Sequence, residues 1–202
     1  MQGRITKIQK LSGKFHNIFR FTRRTAKVKL HNGKEYSLIR HVLETGPAVS
    51  VLPYFYDEQK KIWNVVMVRQ YRPAVDAVCL EAPGGLTHEG SDLKREMARE
   101  LQEESGIKIT PRAIKVIGSQ HLANSFCDQV VHLGIVKLPP KIIDQLRRKE
   151  KIHNGVISER EFTEVIVLPL AKVLNNQKLV TYTLAKYQAL DLKHRLGDLL
   201  EG

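Results

Sequence analysis

The sequence is short of several things, and each shortage excludes something. It has two cysteines, Cys79 and Cys127, and no CxxC pair. That excludes a disulfide framework and a cysteine-rich zinc module, and it suits reduced thiols in a cytoplasmic protein. No apolar run approaches the roughly 20 residues that span a bilayer, so no membrane partner is expected. Internal repeats and low-complexity segments are absent. Acid is scarce at one end: residues 1–40 hold Glu35 against eleven Lys/Arg, so this segment carries +10 of the net +12. A basic, acid-poor start resembles a targeting peptide in composition, but "RFTRRTAKVKLHNGKEYSLI" alternates as strands do. Two readings of that segment stay open: a weak nucleic-acid or phosphate-binding surface, or a solvated strand surface with no partner.

What is present is an ordinary globular composition, 42% apolar and 27% charged over 202 residues, enough for one cored domain with an annex. Residues 1–45 read as a small β annex, with "HNGK" (31–34) as a hairpin turn, and 46–202 as the main domain. In the main domain "PAVSVLPYFY", "KIWNVVMVRQY", "AVCLEA", "AIKVIGSQ", "QVVHLGIVKL" and "EFTEVIVLPL" read as strands. A helix is expected from a Ser91 or Asp92 cap to Ser105, with Gly106 as its stop. "KIIDQLRRKEKI" reads as a second helix, and "VTYTLAKYQALDLKHRLGDLL" as a C-terminal amphipathic one. Strands mixed with two or three helices, without regular βα alternation, indicate an α/β or α+β sandwich.

The helix at 92–105 carries Glu96, Glu100, Glu103 and Glu104 within three turns. Like charges at i, i+3 and i, i+4 oppose a helix. On a wheel of 100° per residue, Leu93, Met97 and Leu101 form the apolar stripe; Glu104 falls inside it and Glu100 on its edge. A carboxylate on a core-facing side is costly unless a cation meets it. Converging carboxylates with a loop carbonyl suit a hard divalent ion such as Mg²⁺. An exposed, solvated Glu/Arg face is the competing account.

The stretch from Gly85 to Ile107, "GLTHEGSDLKREMARELQEESGI", resembles the Nudix box, G-x5-E-x7-R-E-U-x-E-E-x-G-U with U a bulky aliphatic. Gly85, Arg99, Glu100, Leu101, Glu103, Glu104, Gly106 and Ile107 are in register, eight of nine fixed positions; Ser91 stands where the pattern has its first glutamate. Upstream, Arg69-Gln70-Tyr71-Arg72-Pro73 and Glu81-Ala82-Pro83-Gly84-Gly85 resemble the segment before the box in ADP-ribose pyrophosphatases and related nucleoside diphosphate sugar hydrolases. "EREFTEV" (159–165) resembles a further stretch of that subfamily. Its customary proline about sixteen residues after the box is missing from "SQHLANSFCDQ", which favours nucleoside diphosphate sugars beside ADP-ribose.

The resemblance implies an α/β/α sandwich with a mixed sheet, an N-terminal β annex that helps form a homodimer, and metal-assisted hydrolysis of a nucleoside diphosphate linked to a second group. It implies Gly84 (through its carbonyl), Glu100 and Glu104 as ligands of Mg²⁺, with Mn²⁺ as the alternative ion. Glu164 is the implied base, Glu161 and Glu159 its fallbacks, and Glu103 a further ligand through metal or water. Arg72 is the expected phosphate contact, Glu81 a ribose contact or an anchor for Arg72, and Leu86 a substrate contact. Tyr36 aligns with a base-stacking aromatic, and His41 and Arg40 are further ligand candidates. The rival readings are a nucleic-acid-binding regulator on a Nudix scaffold and a hydrolase of capped RNA. A decayed regulator would have lost the box acids, which are all present after Ser91.

Overall fold

The chain is described here from a computed structural model, over residues 1–14, 18–148, 153–154 (backbone only), 162–176, 179–180 and 182–197. It divides into two units, 1–48 with 121–131, and 49–120 with 132–202.

The first unit is built on a three-stranded antiparallel sheet of β1 (Gln2–Lys10), β2 (Arg20–Lys29) and β3 (Glu35–Glu44). The turn between β2 and β3 centres on Gly33 at φ +82°, and Asn32 Oδ1 accepts the Lys34 N–H at 3.1 Å. The expected hairpin at 31–34 lies there. This unit also takes in residues 121–131, far from the annex in sequence. Leu43 bridges to Cys127, the Thr45 N–H donates to Asp128 Oδ1 at 3.0 Å, and Arg24 pairs with Asp128 at 2.8 Å. Charge pairing closes a loop that the local pattern does not announce.

The second unit is built on an eight-stranded sheet. Its strands are β4 (Ala48–Asp57), β5 (Ile62–Arg72), β6 (Ala77–Glu81), β7 (Gly84–Leu86), β8 (Lys115–His121), β9 (Val130–Lys137), β10 (His153–Asn154) and β11 (Thr163–Pro169). The main order is β10-β11-β5-β4-β9-β8, with β6 on β5 and β7 on β4. Strand alternation sends residues to two cores. On β4, Leu52 and Tyr54 face one core, and Val49, Val51 and Phe55 the other; on β5, Val65 and Met67 oppose Val66.

Helices cover both faces. On one, α1 (Leu93–Ser105) supplies Met97 and Leu101, and α2 (Pro140–Arg148) supplies Ile142, Ile143 and Leu146. On the other, α3 (Leu170–Asn175) supplies Leu170 and Val173, and α4 (Thr183–Gly197) supplies Ala185, Ala189, Leu192 and Leu196. This is the α/β/α sandwich expected. The strand read through Leu170 ends at Pro169, and α3 follows it directly. A proline cannot continue a strand ladder but suits a helix start.

Asp92, not Ser91, caps α1: its Oδ1 accepts from the N–H groups of Lys94 and Arg95 at 3.1 and 3.3 Å. Gly106, at φ +68°, ends the helix. Because Leu101 is fully buried between α1 and the sheet, Leu101→Ala should destabilise the protein by about 2–5 kcal/mol. Urea unfolding followed by far-UV circular dichroism checks this, and an unchanged midpoint would contradict the packing described.

Candidate functional site

The site grows from the turn at Pro83 that leads into β7, whose first two residues, Gly84 and Gly85, carry no side chains. Strand β6 ends at Glu81, and the chain passes Pro83 into β7, which pairs with β4. The Val51 N–H donates to the Pro83 carbonyl at 2.8 Å. A Cβ on Gly84 would sit 2.3 Å from the Val49 carbonyl oxygen and 2.8 Å from Ser50 Cα. A Cβ on Gly85 would sit 2.5 Å from Glu100 Oε1. Both glycines are required by close approach, the first to strand backbone and the second to a carboxylate.

The carboxylates come from α1. Glu104 is 5% exposed, and its Oε2 accepts the Gly84 N–H at 2.9 Å. Glu100 is 8% exposed and lies against Gly85. The same helix end is tied to β11: Thr163 Oγ1 donates to the Glu104 carbonyl at 2.8 Å, next to Glu164. Glu100 and Glu104 therefore meet one glycine turn from one helix face, as the wheel predicts.

Arg99 answers the crowding of acids on α1. Its guanidinium donates to Glu96 at 3.0 and 3.1 Å, to Glu100 at 2.6 Å and to Glu103 at 2.6 Å. Burial opposes its charge, but Glu100, Glu96 and Glu103 outweigh that, and the Arg99 pKa is raised. One cation thus serves three carboxylates and turns like-charge repulsion into attraction. Glu103 lies on the more exposed side of this group, with Glu100 on the buried side.

Two further pairs flank the turn's strands. Arg72 donates to both oxygens of Glu81, at 2.9 and 2.8 Å, in the bidentate form guanidinium favours. Glu81 is buried, whereas the Arg72 side chain is 42% exposed. Burial, with the Glu81 charge adding and Arg72 opposing, pushes the Tyr182 hydroxyl up to about 12. Glu164, opposite Arg69 in the β11–β5 register, accepts from Arg69 Nε at 3.0 Å and from Nη2. Arg69, Tyr71, Val78, Phe162, Thr163 and Glu164 line an open cleft of about 420 Å³.

Leu86 is half-buried at the end of β7. Tyr36 and His41 lie exposed on β3 of the first unit. Glu161 and Glu159 lie outside the described residues. Sequence reasoning gave no role to Arg69, Thr163 or Tyr182. Arg69 stood in the R-Q-Y-R-P stretch and was the one with a signal; Thr163 and Tyr182 come in only through tertiary placement.

Comparison with known proteins bears on this geometry. The NUDIX domain profile matches residues 44–185. An ADP-ribose pyrophosphatase of Bacillus subtilis (strain 168) is 28% identical over 170 residues, 84% of this chain and 80% of its own length. An ADP-sugar pyrophosphatase of Mus musculus is 31% identical over 130 residues, 62% of this chain and 54% of its own. A protein of Bacillus methanolicus named methanol dehydrogenase activator is 29% identical over 147 residues, 73% of this chain and 70% of its own.

The two glycines separate fold from site. Gly84→Ala presses on β4 backbone and should cost about 1–3 kcal/mol as overpacking. Gly85→Ala meets the far end of a side chain, so it should cost about 1 kcal/mol or less while displacing Glu100. Paired thermal melts decide it; equal losses for the two variants would contradict the geometry.

Proposed function

This chain belongs to the NUDIX domain family, and from that premise we propose that it is a metal-dependent pyrophosphohydrolase. Its substrates would be ADP-ribose or nucleoside diphosphate sugars, cleaved to nucleoside monophosphate and sugar phosphate. The relatives named as ADP-ribose and ADP-sugar pyrophosphatases support the substrate class. The observation that carries the chemistry is the convergence of the Glu100 and Glu104 carboxylates on the Gly84–Gly85 turn.

The donors fit a hard cation. They are oxygens only, as a hard cation requires; among the described residues no three or more His, Cys, Asp or Glu gather as a metal site, so the two carboxylates would need other oxygens to complete the shell. A carboxylate pair completed by water and substrate phosphate is the arrangement Mg²⁺ prefers, and Mn²⁺ suits the same ligands. Glu100, Glu104 and the Gly84 carbonyl would hold it. When bound, the cation neutralises and orients the pyrophosphate and acidifies the attacking water.

The remaining roles belong to the chain itself. Glu81 fixes the angle of the Arg72 guanidinium, which then meets a phosphate at the exposed side of the pair. Glu164, with Glu161 as its fallback, would take a proton from the water; both bonds from Arg69 fall on its Oε2. Glu103 shares the Arg99 guanidinium with Glu100 and would act on the cation through a water. Leu86 would border the substrate, Tyr36 would stack on a nucleotide base, and His41 is proposed as a further ligand.

The protein would act as a homodimer in the cytoplasm. The N-terminal sheet leaves Ile5, Ile8, Phe21, Tyr36, Leu38 and Ile39 exposed, a poor state for an isolated three-stranded sheet. Free thiols at Cys79 and Cys127 suit a reducing compartment. The basic charge of residues 1–40 supports weak, salt-labile binding of nucleic acid at most.

A panel of ADP-ribose, ADP-glucose, GDP-mannose, diadenosine polyphosphates, NADH and capped RNA, each with Mg²⁺ or Mn²⁺, tests the reading. Hydrolysis of ADP-ribose or a nucleotide sugar is expected, and Glu104→Gln should lower turnover by on the order of 10²–10⁴-fold with the fold retained. Near-normal turnover in both Glu100→Gln and Glu104→Gln would remove the metal assignment. Tight nucleic-acid binding at about 0.15 M salt with no hydrolysis would favour the regulator instead. Light scattering at micromolar concentration should return the mass of a dimer; an active monomer would refute the assembly.

A further inference from the structure

Helix α4 turns an apolar face to the sheet through Leu184, Ala185, Ala189, Leu192 and Leu196, and one glutamine interrupts it. Gln188 is fully buried. Burying an amide is unfavourable unless its donors and acceptor are met. They are met on two neighbouring strands. Gln188 Nε2 donates to the Ser50 carbonyl at 3.2 Å and to the Gly134 carbonyl at 3.0 Å, and Ser50 Oγ donates to Gln188 Oε1 at 3.2 Å. A leucine would fill this space without the desolvation cost. The amide instead fixes where β4 and β9 stand relative to α4, as satisfied buried polar groups do.

Ser50 is also the residue against which the glycine turn rests. A Cβ on Gly84 would lie 2.8 Å from Ser50 Cα and 3.1 Å from Ser50 Cβ, and the next residue, Val51, bonds the Pro83 carbonyl. Gly84 in turn donates its N–H to the Glu104 carboxylate. The contacts run without a break from α4 through β4 and the turn to Glu104. We propose that Gln188 is a positioning residue for the cation seat: it fixes Ser50, and through Ser50 the Gly84 turn that orients Glu104. The inference rests on the reading of Glu100 and Glu104 as cation ligands. Gln188 touches neither cation nor substrate; it acts by holding the turn at the height where the Glu104 carboxylate meets it.

The test is Mn²⁺ affinity, measured by electron paramagnetic resonance of the free ion. It uses the full chain and its variants Gln188→Met, Ser50→Ala and Leu192→Val. Gln188→Met keeps length and volume but removes the amide. It should weaken Mn²⁺ binding on the order of 10-fold, the size of effect seen when groups supporting metal ligands are removed. Ser50→Ala, which deletes one of the three bonds, should weaken it less and in the same direction. Leu192→Val, a core deletion on the same helix face, should lower the melting temperature and leave Mn²⁺ affinity unchanged.

Wild-type affinity in Gln188→Met, or an equal loss in Leu192→Val, would overturn the inference. Should Gln188→Met fail to fold, Ser50→Ala decides alone, and unchanged affinity there overturns it. A wild-type protein that binds no Mn²⁺ would instead remove the cation reading itself, and this inference with it.

Discussion

Two carboxylates on the buried side of a helix are the constraint on which the rest of the second unit depends. Glu100 and Glu104 are each less than a tenth exposed, and a buried charge is tolerated only where it is bonded or paired. The turn at Gly84 and Gly85 meets that requirement because it brings main chain, and nothing bulkier, against the carboxylates. The turn can do this only where β7 lies on β4, so the sheet order, the glycines and the helix register form one arrangement.

Arg99 makes the arrangement compatible with helix α1. Without it, Glu96, Glu100 and Glu103 would repel across adjacent turns. With it, the three acids share one guanidinium, and Glu100 is drawn from the inner side while Glu103 stays near water. The half-exposed members of this group contribute little to stability by themselves. Their effect is geometric: Arg99 meets Glu100 at 2.6 Å on the buried side of the group. A similar division holds at Arg72 and Glu81, where a buried acid orients a more exposed base.

Much of this was legible in the sequence, and the reasons are physical. The stripe of Leu93, Met97 and Leu101 follows the 3.6-residue period, so the side that Glu104 faces could be read directly. Gly33 marks its hairpin and Gly106 ends its helix, because both carry local backbone requirements. The parts that escaped depend on distant partners. Residues 121–131 join the first unit through Asp128 and Arg24, more than a hundred positions apart. Helix α3 begins at Leu170, where the strand read from the sequence ends, and its remaining residues were given no element. Gln188 looked like an ordinary polar position on an amphipathic helix, and only its burial against Ser50 and Gly134 distinguishes it. The Glu81 partner of Arg72 was one of two acids nearby in sequence; the β5–β6 pairing selects it, and Asp76 bonds Tyr71 instead.

The central claim is that Glu100 and Glu104, closed by the Gly84 turn, form the seat of a divalent cation. Anomalous diffraction from crystals grown with Mn²⁺ tests it most directly. The account predicts a Mn²⁺ peak in direct contact with both carboxylates and with the Gly84 carbonyl oxygen. A well-ordered Mn²⁺ bound elsewhere in the second unit, or none at saturating concentration with these carboxylates undisturbed, would contradict it.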